Sequence, residues 1–91
     1  MSSEFSELRE VLDAAYEQAA SGKGDERHGH GAPLEAQPVF RLMRDHGIGF
    51  ATGQASKKAV EALSMDDPEA AERELLGAIV YLAFAILEIR K

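Results

Sequence analysis

Apolar residues recur at helical spacing along the start of the chain. Phe5, Leu8, Leu12, Ala15 and Ala19 form one stripe, which Val11 and Tyr16 widen. The pattern predicts an amphipathic helix over 4–20, with Ser2 or Ser3 as its cap and Gly22 or Gly24 as its stop. A second apolar group, Val39, Phe40, Leu42 and Met43, follows Pro38, which suits the first position of a helix. Val60 and Leu63 close that segment, so a second helix is expected over 38–64. Gly47, Gly49 and Gly53 interrupt its middle and leave two readings open: a break near 47, or a continuous helix with a smooth small-residue face. Asp67 before Pro68 is a helix start, and it predicts a third helix over 68–90.

That third helix is polar at first and apolar nearly all round from Leu75 to Leu87 (LLGAIVYLAFAIL). The run is too short for a bilayer, which needs about 20 residues. It reads as a buried helix with more apolar surface than one small domain covers, which predicts a homo-oligomer built on residues 75–89. Nothing alternates as a strand would. The expected fold is all-α, a small helical hairpin or bundle in a single domain over 1–91: an N-terminal helix, a loop over 22–37 and two longer helices. Within that loop, residues 33–37 can make one helical turn.

Composition sharpens the picture in one place. The 91 residues carry a net charge of −6, which argues against a long polyanion as ligand. Yet residues 22–60 hold six Lys/Arg against four Asp/Glu, and the flanks hold four against twelve. All three histidines and seven of the eight glycines also lie in that middle stretch. An acidic helical frame around a basic, glycine-rich centre suits a small anion. The absence of cysteine excludes disulfides, thiol nucleophiles and thiolate metal sites, and is compatible with a reducing compartment. The start MSSEFSELRE has no basic segment followed by an apolar core, so no signal peptide is expected and a cytoplasmic location is.

Candidate chemistry concentrates in two clusters. In GKGDERHGHG (22–31), glycines free backbone N–H groups to form an anion-binding concavity, and Lys23, Arg27, His28 and His30 add charge-assisted hydrogen bonds. The bland alternative is a solvated loop. In GIGFATGQASKK (47–58), Gln54 and Lys58 share a helix face at i, i+4, and Phe50 is suited to stack on a base. The alternative there is glycine-mediated helix packing with two solvated lysines. His28 and His30, with Asp25, Glu26 and His46, also offer ligands for a divalent metal, but a flexible loop does not fix their geometry, and no metal or cofactor is expected. No serine has a local context that activates it, so no catalytic residue is assigned.

Two resemblances add expectations. The segment ERELLGAIVYLAFAIL (72–87) resembles the closing helix of the all-α, MazG-like nucleotide pyrophosphohydrolases. That likeness implies carboxylates holding magnesium against a nucleoside triphosphate, with Glu74 at the glutamate position. Here Gly77 stands where that family has its aspartate, and the preceding helix carries lysines instead of an acidic pair. Small, cysteine-free helical proteins with basic loops are also similar to the phage anti-defence sponges, oligomers that sequester cyclic or ADP-ribose-type signalling nucleotides without cleaving them. KG-x-ERHG and GxGF-x-x-GQA-x-KK carry a likeness to short phage reading frames. The expected function is non-catalytic binding of a small phosphate-bearing ligand, a nucleotide above all, through Lys23, Arg27, His28, His30, Phe50, Gln54 and Lys58. The alternatives are a divergent pyrophosphohydrolase using Glu72, Glu74, Glu61 and Asp66 or Asp67, and a structural or protein-interaction module.

Overall fold

A computed structural model describes residues 3–21 and 33–91. The protein is all-α, with four α-helices and no strand among the described residues. After a 3-10 turn over Ser3–Phe5, helix α1 spans Ser6–Ser21. A second 3-10 turn, Leu34–Ala36, leads into α2 (Pro38–His46). Helix α3 covers Gly49–Ala62 and α4 covers Pro68–Ile89.

The segment from 38 to 62 is thus two helices, and the break has a cause. Gly47 adopts φ +82°, a conformation that disfavours any residue with a β-carbon. Its N–H donates to Met43 O at 2.7 Å and closes the end of α2. Ile48 then opens α3, with no side chain capping the new helix. The last helix begins as its sequence dictates. Asp67 is extended at the cap, its Oδ1 accepts from the Glu69 N–H at 3.2 Å, and Pro68 sits at the first helical position.

Helices α3 and α4 form an antiparallel hairpin, since Phe50 faces Tyr81 near one end and Lys58 faces Glu74 near the other. The short α2 crosses the end of this hairpin. Val39, Phe40 and Met43 from α2, Ala51 from α3, and Phe84 and Ala85 from α4 make the core, with Ile48, Phe50, Val80 and Tyr81 packed around it. Phe40 and Phe84 meet with ring centroids 5.2 Å apart at 57°, a tilted contact favoured by the ring quadrupoles.

The second half of helix α1 holds it to the rest of the fold. Ala15 is buried, and the Gln18 side-chain amide donates to Arg73 O at 3.2 Å. Residues 4–13 are exposed on every side, including Phe5, Leu8, Val11 and Leu12. The stripe that predicts this helix is therefore half used. Its small residues pack against α4, and its large ones face water.

Candidate functional site

The two sequence clusters fare differently. Lys23, Arg27, His28 and His30 lie outside the described residues, as do Asp25 and Glu26. Phe50, Gln54 and Lys58 are brought together on one side of α3, all half-buried, as their i, i+4, i+8 spacing requires. That side faces α4. The Phe50 ring stands edge-on to Tyr81, with centroids 6.5 Å apart and planes at 77°. Lys58 Nζ lies 3.6 Å from Glu74 Oε1, and its methylene stem runs over Gly77.

The close approach between α3 and α4 therefore uses Gly77, not the glycines of α3. A β-carbon at Gly77 would stand 3.0 Å from Lys58 Cδ, whereas one at Gly49 or Gly53 would meet nothing within 4 Å. This corrects the packing alternative for the 47–58 cluster, whose glycines face open space. Lys58 is not a solvated lysine either. It buries its stem and sets its ammonium against a carboxylate. Glu74, the residue that the pyrophosphohydrolase resemblance singles out, thereby has a cation beside it. Among the described residues, no group of three His, Asp or Glu side chains is placed to hold a metal ion.

A concave surface opens elsewhere, where the chain re-enters the described fold. Pro33, Leu34, Phe40, Leu87, Arg90 and Lys91 line a cleft of about 290 Å³. Its apolar lining is Pro33, Leu34 and Leu87, with Phe40 buried beneath at 1 % exposed. Two cations, Arg90 and Lys91, also line it. Lys91 Nζ stands 4.9 Å over the Phe40 ring and 3.3 Å from Glu88 Oε1. That carboxylate oxygen has no aligned hydrogen-bond donor, so the pair is an electrostatic contact alone. Arg90 is exposed and makes no ion pair among the described residues.

Sequence reasoning did not find this cleft. Pro33 and Lys91 are distant in the chain, and two basic residues at a helix end are ordinary complements to the helix dipole. The one local signal was that 33–37 would turn, which Leu34–Ala36 does. No described helix is long and apolar enough to cross a membrane. No family model, curated protein or solved structure matches the chain.

Proposed function

We propose that the protein binds a small phosphate-bearing molecule, a nucleotide above all, and retains it without turnover. The observation that supports this reading is the cleft beside Phe40, which sets the apolar Pro33, Leu34 and Leu87 next to Arg90 and Lys91. The apolar lining suits a ring or sugar face, and phosphate oxygens suit a guanidinium that offers five donors in a fixed fork. Pro33, which lines the cleft, comes two residues after the end of the basic stretch that holds Lys23, Arg27, His28 and His30, three to ten residues before it in sequence. Sequestration of a cyclic or ADP-ribose-type signalling nucleotide, as in the phage sponges, is the specific form of this proposal.

A hydrolytic role draws no support from Glu74, which faces Lys58. Calorimetric titration of ADP-ribose, a cyclic dinucleotide and ATP tests the proposal, with product analysis run alongside. Binding without breakdown is expected, weakened about ten-fold to a hundred-fold by Arg90→Ala and by Arg27→Ala, the loss of one charge-assisted hydrogen bond each. Equal affinity in wild type and both variants, or no binding of any of the three probes, overturns it. Magnesium-dependent release of pyrophosphate overturns the non-catalytic part.

A further inference from the structure

The outer side of α4 carries a second apolar pattern that the fold does not use. Leu75, Ile79, Leu82, Ile86 and Ile89 follow one another at steps of four, three, four and three, the spacing of the a and d positions of a coiled-coil heptad. At 100° per residue this seam lies on the side turned away from Gly77, Tyr81 and Phe84, which face α2 and α3. Ile79 is half-buried. The other four are exposed: Leu75 47 %, Leu82 48 %, Ile86 51 % and Ile89 67 %. Isoleucine and leucine at these positions form knobs and holes that fit another helix with the same repeat, so the chemistry specifies a helical partner.

We propose that this partner is a second copy of the chain, with α4 packed antiparallel against the partner's α4. Two features select a copy in that orientation. The seam is self-complementary. Turning one helix end over end sets its a positions against d positions of the other, giving layers of Leu75 with the partner's Ile86 and Ile79 with the partner's Leu82, while Ile89 at the end lies level with the partner's Glu72, the a position seven residues before Ile79. Charge is complementary as well. Glu72 borders the seam at its start and Arg90 at its end, on the same flank, and neither makes an ion pair among the described residues. Antiparallel pairing sets Glu72 beside the partner's Arg90, and also opposes the helix dipoles, whereas parallel pairing sets like beside like. Arg90 has donors enough to meet a carboxylate on one edge and a cleft anion on the other.

Both readings use Arg90, but Leu75, Leu82 and Ile86, the residues substituted in the test below, lie outside the cleft lining, so this inference is tested apart from the ligand reading.

Sedimentation equilibrium of the intact protein is expected to give a dimer at micromolar concentration. Ile86→Asp, on the exposed seam, is expected to weaken the dimer at least a hundred-fold with helical circular dichroism retained. Leu82→Ala weakens it less and serves if the charged variant fails to fold. Orientation is read by cysteines introduced into this cysteine-free chain. Under mild oxidation Leu75→Cys alone should not cross-link, while a mixture of Leu75→Cys and Ile86→Cys proteins should give the mixed disulfide. A monomer at all concentrations, or a dimer indifferent to both seam substitutions, overturns the proposal. Efficient self-cross-linking of Leu75→Cys overturns the antiparallel register.

Discussion

The side chain of Lys58 crosses Gly77 closely enough that a β-carbon at residue 77 would stand 3.0 Å from Cδ and 3.2 Å from Cε. Two effects of Gly77→Ala then oppose each other. Alanine inside a helix is favoured over glycine by about 1 kcal/mol. The added methyl also displaces the Lys58 stem and with it the pair to Glu74, worth up to about 1 kcal/mol in a partly exposed setting. In the wild-type background the substitution should change stability by less than about 0.5 kcal/mol. In a Lys58→Ala background, with the stem gone, it should stabilise by about 1 kcal/mol. Urea denaturation of the four proteins measures the coupling, and strict additivity would show that the two residues do not interact.

Gly47 and Gly53 should respond to alanine in opposite directions. Gly47 holds φ +82°, so Gly47→Ala forces a left-handed alanine and should cost about 1–2 kcal/mol although the space around it is open. Gly53 is mid-helix with nothing near its missing β-carbon, so Gly53→Ala should gain about 0.5–1 kcal/mol. For a domain of this size each kcal/mol moves the melting midpoint by about 4–8 °C. Two shifts of the same sign would contradict the assignment of the break to Gly47.

These two glycines also mark how far the chain could be read without coordinates. The start of α4 was legible because Asp67 and Pro68 act on their immediate neighbours, and no distant contact competes. The glycines of the 38–64 segment left two readings open, because a helix end and a small packing face call for the same residue; only the φ of Gly47 decides between them. For the candidate site, spacing showed that Phe50, Gln54 and Lys58 share a face, but not that the face is turned to α4. The cleft was illegible for a related reason. It joins Leu34 and Phe40 to Leu87, Arg90 and Lys91, and nothing local to either segment encodes how α2 crosses the hairpin end.

Asp67 offers a test of the local rule alone. Its carboxylate accepts from Glu69 N–H at 3.2 Å in an exposed setting. Asp67→Ala should cost about 1 kcal/mol, while Asp67→Asn or Asp67→Ser, which keep an acceptor, should fall within a few tenths of wild type. Chemical denaturation ranks the three. An alanine variant as stable as the serine variant would mean that the capping bond contributes nothing.

The largest effects should come from Phe40, which joins the core to the cleft. It is 1 % exposed, packs against Phe84, and carries the Lys91 ammonium 4.9 Å above its ring. Removing a buried phenyl ring costs about 3–5 kcal/mol through lost transfer energy and the cavity left behind. A domain of this length has roughly 5–14 kcal/mol in total, so Phe40→Ala should lose about a fifth of its stability or more. Phe40→Leu keeps most of the volume and should stay folded at a smaller cost. Lys91→Gln separates the ring from the cation. It removes the contact with Phe40 and the 3.3 Å approach to Glu88, and should cost only about 0.5–1.5 kcal/mol. Its cost should shrink only modestly in 1 M sodium chloride, because Glu88 Oε1 is buried and partly buried pairs are screened less than exposed ones, and that of Phe40→Ala should not shrink at all. Urea titrations of the three variants at low and high salt distinguish these contributions. A Lys91→Gln variant as damaged as Phe40→Ala would show that the cation, and not the ring, holds this end of the fold together.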